Sequence, residues 1–532
     1  MRAVLALGIC AFVSGSAFAQ DAAAPAAAPA AAPAATPAAS PRDENIAKCS
    51  SAYLDTSIAG CTALIDAAGE TPEVRATSFN NRGVAYREKA DYPKALADFA
   101  ESIKLAPSDG NTFVNRGKTY RAQGDNDRAL KDFEQAVTLD PKDINALTNR
   151  GMAYAVKGDK QRALKDFDDA ATINPQSPDA FYNRGVTYLD LNQDDKALAD
   201  FTQAIALNPG HASAYANRGV IFATKGNYDS AIADYDQSIR FNGRSTNIFN
   251  NRGYAYFMKA SYDRAIQDFD AALQINPKNV LALDNRGNAL RMKGEYPQAI
   301  ASFDEALKVK ADNVSSYLSR GLANTSFGRS DLAIADFTQA LKYSPNSAVA
   351  YSSRGVAQAN IGETDKAIAD FSQAIKLNPK LSSAYSSLGN AYFVAGKFPE
   401  AAKQLEQSLA LNPNNAYAAF WLHLARQKTG GNASAELTRY VAKADATAWS
   451  AQLAQFLLGK IDAAELAVIL NRADGTALGE QQCEYLFYAG EDKLQRQDKD
   501  AAIAMFKNAL ELCPNTFMER GGAAAELKRL GG

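Results

Sequence analysis

From Ala76 onward the apolar positions of the chain recur in blocks of 34 residues. Counted from one within a block, a large residue at position 4, glycine at 8 and a bulky residue at 11 share i, i+4, i+7 spacing, one face of a helix. Phe79, Gly83 and Tyr86 are the first instance. Alanine at position 20, an aromatic at 24 and proline at 32 follow on a second stretch, separated from the first by a turn near position 15 that is usually glycine. The pattern predicts two antiparallel helices per block, A and B, and ten unbroken blocks over 76–415. Position 8 is glycine in all ten, from Gly83 to Gly389, and position 20 is alanine in all ten, from Ala95 to Ala401. These small residues let the two helices approach closely, the aromatics fill the space beside them, and the proline stops helix B. Each hairpin leaves an apolar face uncovered, so neighbours must stack.

Glycine at 8, alanine at 20, an aromatic at 24 and proline at 32 in constant register resemble the tetratricopeptide repeat (TPR). The resemblance implies an all-α fold, a right-handed TPR α-solenoid closed by a helical C-terminal cap. It also implies a concave groove lined by positions 2, 5, 6, 9, 12 and 13 of the helices A.

Within the blocks Asn-Arg-Gly recurs seven times, ending at Gly83, Gly117, Gly151, Gly185, Gly219, Gly253 and Gly287. The arginine at position 7 is expected to lay its stem between repeats and pair with the aspartate that recurs at position 23. The asparagine at position 6 points away from the helix B contact. Asn81, Asn115, Asn149, Asn183, Asn217, Asn251 and Asn285 thus form a column on the groove side, replaced later by Ser319, Ser353 and Ser387. An asparagine offers an acceptor and two donors, so a column of them suits the backbone of an extended peptide, as in other TPR superhelices with a position-6 asparagine ladder. The other reading is that they solvate the groove or bond a neighbouring helix. Phe257, Met258, Met292 and Arg121 are the distinctive groove-facing candidates for specificity, with packing as the alternative for the apolar three.

Outside the blocks the composition changes. Residues 1–19 read as a signal peptide: Arg2, the apolar stretch Ala3 to Val13, and Ala17-Phe18-Ala19 before a cleavage at Gln20. Cys10 follows Ile9 inside the apolar stretch, unlike a lipidation site. Residues 20–42 carry proline at 25, 29, 33, 37 and 41, a density that favours an extended linker. A helical hairpin is expected over 43–75, with a turn near Asp55 and Thr56. A degenerate helical region (416–482) follows the blocks, and the repeat pattern returns over 483–532 with a final helix.

The mature cysteines, Cys49, Cys61, Cys483 and Cys513, are even in number, which in an exported protein reads as disulfides. Three pairings exist. Helix geometry favours Cys49–Cys61 across the first hairpin and Cys483–Cys513, at the start of helix A and the end of helix B in the last one. With two histidines and no CxxC, zinc or another metal is not expected.

The stretches "WLHLARQK", "FLLGKI" and "YLFYAGEDKLQRQDKDAAIAMFKNAL", with "FMERGGAAAELKRLG", resemble the C-terminal half of the NlpI family of periplasmic TPR lipoproteins. That resemblance implies a periplasmic, often dimeric adaptor that brings clients such as peptidoglycan hydrolases to a processing protease.

Charge narrows the function further. The chain has 57 Lys+Arg against 59 Asp+Glu, which disfavours a nucleic-acid surface. The apolar stretch of the leader is too short for a membrane span. No phosphate loop, GxSxG or HExxH occurs, and neither catalysis nor a cofactor is expected. The expected function is an exported, periplasmic, non-enzymatic scaffold for protein or peptide clients. The alternative is a cell-envelope structural protein that binds peptidoglycan or polysaccharide in the same groove.

Overall fold

The computed structural model describes residues 40–242, 245–432, 434–471 and 475–531. The expected signal peptide, Cys10 and the linker up to residue 39 lie outside the described residues. The described residues form 29 α-helices and no strand. They divide into two compact units, one ending at Lys259 and one starting at Ala260.

The first unit opens with the helices Pro41–Cys49 and Leu54–Asp66. Ser40 caps the first, with Pro41 in its first turn, so helix begins two residues before the end of the expected linker. The turn lies at 50–53 and not near Asp55 and Thr56, which are already helical. A Cβ on Gly60 would come 2.6 Å from the backbone of Cys49. The two helices cross at that glycine, and Cys61 beside it is disulfide-bonded to Cys49 with Cα atoms 4.5 Å apart. Repeats then follow as helix pairs, from Pro72–Glu88 with Tyr92–Leu105 to Ala212–Thr224 with Tyr228–Asn242, and the unit ends with Thr246–Met258, helix A of repeat 6.

The second unit contains Tyr262–Ile275, four further pairs from Val280–Met292 with Tyr296–Val309 to Ser382–Val394 with Phe398–Leu411, and the C-terminal helices. The rules of packing are the same in both units. Every position-20 alanine is fully buried, as is the position-24 ring or Leu405. A Cβ on Gly83 would lie 2.8 Å from the Phe99 ring, and one on Gly287 2.6 Å from Phe303, so position 8 admits no side chain without displacing the ring. The A–B turns have positive φ, for example +82° at Gly124 and +78° at Gly328, where glycine is the unstrained choice.

The arginines of position 7 pair within their own repeat. Arg150 donates from Nε and Nη2 to both carboxylate oxygens of Asp166, at 2.9 and 2.8 Å. Arg82–Asp98, Arg116–Asp132, Arg184–Asp200, Arg218–Asp234 and Arg354–Asp370 repeat the fork. Several arginines also reach back to helix B of the preceding repeat, at position 25. Arg184 binds Asp168 at 2.7 Å, Arg252 binds Asp236 at 2.6 Å, and Arg218 and Arg354 donate to Thr202 and Thr338. Each such arginine ties two repeats together.

The C-terminal region folds around Trp421 of the helix Ala416–Lys428, which stacks on Phe487 and meets Phe393 edge-on. After the short helices Ala435–Val441, Trp449–Leu457 and Ala463–Leu470, the pair Gly475–Gln495 and Lys499–Leu512 repeats the hairpin packing, with Gly490 against Phe506. Cys483 and Cys513 are disulfide-bonded across it, Cα atoms 4.9 Å apart. Met518–Leu530 closes the chain. A Cβ on its Gly522 would meet Phe487 at 2.6 Å and Trp421 at 2.8 Å, so this helix lies directly on the aromatic core.

Candidate functional site

Within each unit most successive helices A touch one another, whereas helices B of neighbouring repeats do not come as close. Each stack therefore bends with its helices A on the inner side. Side-chain bonds run along that side between repeats. Asn115 donates Nδ2 to Oδ1 of Asn80, at position 5 of the preceding repeat, at 2.9 Å, and Asn80 in turn donates to Asn81. Asn217 donates to the Tyr182 hydroxyl, again position 5 of the repeat before, at 3.3 Å. Arg121 at position 12 donates to Oδ1 of Asn149 at 3.1 Å, one repeat onward.

The structure brings Asn81, Asn115, Asn149, Asn183, Asn217 and Asn251 onto this side of the first unit, with Asn285 on the second. Asn81 and Asn115 are half-buried; the other five are buried. Asn149 is satisfied, its amide donating to the carbonyl of Asn145 and its oxygen accepting from Arg121. Asn183 and Asn217 differ. They are only 2% and 4% exposed, and Oδ1 of each is buried without a hydrogen-bond donor. Their setting is apolar: burial pushes the neighbouring Tyr182 hydroxyl up to about 12, against its bonds with Ser213 and Asn217. His211 caps the next helix, its Nδ1 accepting from the N–H of Ala214 at 3.2 Å.

Among the specificity candidates, Phe257 is buried and part of the packing, not of an open groove. Met258 and Met292, at position 13, are 44% and 45% exposed. Val156 occupies the same position in repeat 3 and is also exposed, a candidate that the register alone would have located.

Arg291 does not stand out in the sequence. It occupies position 12 of repeat 7, as Arg121 does in repeat 2, but the following position 6 is Ser319 and not asparagine. Its Nε is buried without an acceptor. Burial lowers its pKa, and only the tyrosines Tyr296 and Tyr262 act in the opposite direction. At position 5 of the same helix, burial pushes Asp284 up to about 6, against hydrogen bonds donated by Ser316 and Asn313. A partly buried cation without a counter-charge costs stability. Arg291→Met is therefore expected to raise the stability of the second unit by about 1 kcal/mol in urea unfolding. A loss of that size instead would mean that the guanidinium holds part of the fold.

At the end of the array the inner side is occupied. The C-terminal helix Met518–Leu530 lies against helix A of repeat 10 (Ser382–Val394) and helix A of repeat 9 (Ala348–Asn360). Arg529 donates to the carbonyls of Phe393 and Val394 at 2.6 and 2.8 Å and lies over the rings of Phe393 and Phe398. Asn390, at position 9, donates to Sδ of Met518. Among the described residues no helix is long and apolar enough to cross a membrane, and no cluster of three metal-ligating side chains occurs.

Family models described as tetratricopeptide repeat match residues 114–178 and 182–247, 246–279 and 348–381, and 76–109 and 314–347; one described as TPR repeat matches 287–326 and 389–430. Similar solved structures include a tetratricopeptide repeat protein from Parabacteroides merdae (21% identity, 47% of this chain and 98% of that one, TM-score 0.36). YrrB, described as a TPR protein with an unusual peptide-binding site, is 26% identical over 35% of this chain and 95% of its own, with TM-score 0.30. Yeast Tom70 is 16% identical over 75% of this chain and 99% of its own, with TM-score 0.37. The repeat models together match more than half of the residues, in the register that the helix pairs follow, and the chain belongs to the tetratricopeptide-repeat family.

Proposed function

We propose that this protein is an exported, non-enzymatic adaptor that holds extended segments of partner proteins along the inner side of its helices A. The repeat fold is suited to protein binding. The observation that carries the reading is the pair Asn183 and Asn217, whose buried Oδ1 atoms have no donor in the protein. A buried acceptor without a partner costs free energy, and a ligand backbone N–H is the group that would satisfy it. Asn217 spends its amide on Tyr182 and keeps its oxygen, so the rung accepts. A small side-chain shift must expose these oxygens first.

Export is supported by the leader-like first residues and by two disulfides, which suit an oxidising compartment such as the periplasm. The NlpI-like character of the C-terminal stretches favours delivery of clients to an envelope protease or peptidoglycan hydrolase, and a dimer as the working form.

The test compares wild type with the Asn183→Ala, Asn217→Ala double variant in pull-downs from periplasmic extract, after matched melting curves. Two hydrogen bonds of about 1 kcal/mol each correspond to a loss of tenfold or more in binding. Specific proteins should be depleted from the double variant and should survive glycan digestion of the extract. Undiminished capture by the double variant would reject the asparagine reading; loss on glycan digestion would favour a polysaccharide ligand.

A further inference from the structure

Histidine occurs twice in the chain, and His211 is the one that stands in the array. It fills position 34 of repeat 4 and is the N-cap of Ala212–Thr224. Other helices A are capped from that position by aspartate, serine or asparagine, as at Asp109, Ser177 and Asn279. Asn279 accepts from the N–H of Ala282 at 3.0 Å, and Asn415 from that of Ala418 at 3.1 Å. His211 makes the same bond through Nδ1, from the N–H of Ala214 at 3.2 Å. An accepting Nδ1 carries no proton, so the proton of the neutral ring sits on Nε2. The cap makes no use of that second nitrogen.

Nε2 of His211 is buried and has no hydrogen-bond acceptor. Oδ1 of Asp179 lies 3.7 Å from it, too far for a hydrogen bond. Asp179 occupies position 2 of repeat 4, one of the inner-side positions, and its side chain is 57% exposed. The His211 ring lies on Tyr182, centroids 4.7 Å apart, and the hydroxyl of the same tyrosine takes the amide of Asn217. Tyr182 therefore fixes two unsatisfied groups of opposite character, the acceptor Oδ1 of Asn217 and the donor Nε2–H of His211. A buried N–H without an acceptor costs free energy just as the bare asparagine oxygens do. In an antiparallel pair of strands, a residue turns its N–H and its C=O to the same side and meets one acceptor and one donor there. Asn217 and His211 supply that pair.

We infer that His211 is a further ligand contact: its Nε2–H donates to a main-chain carbonyl of the bound segment, while Oδ1 of Asn217 accepts the N–H of the same residue. The inference rests on the reading of this inner side as a site for extended segments, and it adds two properties. Asparagine oxygens alone take N–H groups and leave the ligand's carbonyls unbound; the histidine supplies a donor for one of them. A donor beside an acceptor also sets the direction of the bound chain, because reversal exchanges the order of N–H and C=O. The side-chain shift that must expose the Asn217 oxygen has to open Nε2 as well, and the exposed Asp179 beside it has room to move.

The experiment separates the two ring nitrogens in the full chain. His211→Asn keeps an oxygen for the cap, as Asn279 does, and removes Nε2–H. His211→Gln puts an amide N–H near the place of Nε2 and gives up the cap. The probe is an immobilised library of short random peptides with blocked termini; the tightest binder of wild type is then titrated with a fluorophore attached. His211→Asn should melt close to wild type and bind this peptide about fivefold more weakly. His211→Gln should melt lower and bind within about twofold of wild type. Wild-type binding by His211→Asn, or losses in both variants that merely follow their melting, would make His211 a cap only and overturn the inference. Should His211→Asn melt much lower, His211→Ser takes its place, since Ser177 caps in the same way. Asp179→Ala should bind as wild type; a loss there with His211→Asn unaffected would move the contact to the carboxylate and overturn the inference too. The Asn183→Ala, Asn217→Ala double variant is titrated alongside. Weaker binding by it with His211→Asn unchanged would remove the histidine contact and leave the asparagine reading standing, whereas a library without any binder of wild type would reject both.

Discussion

Asp166→Ala is expected to cost about 3 kcal/mol, far more than the removal of a charge from the surface of the same helix. Asp166 is 2% exposed in its side chain and accepts two parallel bonds from Arg150, whose side chain is 20% exposed. The pairing raises the arginine's pKa, chiefly through the hydrogen bonds to Asp166, against the effect of burial. Truncation leaves the guanidinium beside the Tyr154 ring without its carboxylate, and an uncompensated charge in the seam costs more than the pair contributes. The internal comparison is Asp169→Ala. Asp169 pairs with Lys165 in the open, at 43% and 72% exposure, and its loss should cost less than about 0.5 kcal/mol. Urea unfolding of both variants, with hydrogen exchange in repeat 3 to locate the loss, makes the comparison. Similar small effects would mean that the forks recurring along the array are incidental. Replacing both partners by apolar residues of like shape, Arg150→Met with Asp166→Leu, should restore most of the stability.

The contrast between what the residues announce and what they hide follows the range of the interactions. Gly83 against Phe99, the buried alanines of position 20 and the forks at 16-residue separation are all set by the 34-residue period, so periodicity alone makes them legible. The return contact from position 7 to position 25 is not legible in that way, because its acceptor changes chemistry from Asp168 to Thr202 to Asp236 and leaves no single-residue signature. The burial of Asn183 and Asn217 is hidden for another reason. Periodicity says which way a side chain points, but the closeness of neighbouring helices A decides whether it stays open. Phe257 is assigned to an open groove by the same periodicity and is covered. The docking of Arg529 on Phe393 joins residues 136 apart with no periodic signal between them. The first hairpin turns earlier than expected because Cys49 and Cys61 align only when Gly60 crosses the end of the first helix.

Raising the pH from 5 to 8 should loosen the C-terminal helices, and Glu519 alone should account for about 3 kcal/mol of that change. Burial pushes its carboxyl up to about 7, helped by the charge of Glu484, while its own N–H and the Tyr488 hydroxyl pull the other way. Burial also pushes Glu491 up, outweighing the ion pair with Lys428, and Glu526 adds to the shift. Glu484 moves in the same direction in spite of bonds from Tyr417 and Trp449. A carboxyl whose pKa is higher in the folded state holds its proton more firmly there than in the unfolded chain. Its contribution is fully present below the unfolded value near 4.5 and is lost as pH rises through about 7, with little further change above. Exposed carboxylates such as Asp125 and Asp159 are shifted down by their caps and arginine partners, so they act only at lower pH and leave this window clear. Both tryptophans, Trp421 and Trp449, lie in the C-terminal region, so their fluorescence follows its unfolding selectively. Urea midpoints read from that signal should fall steadily from pH 5 to 7 and level off by 8, and Glu519→Gln should flatten the curve and stabilise the region at pH 8. A midpoint independent of pH across this range would show that water or a rearranged partner solvates the buried carboxyl groups.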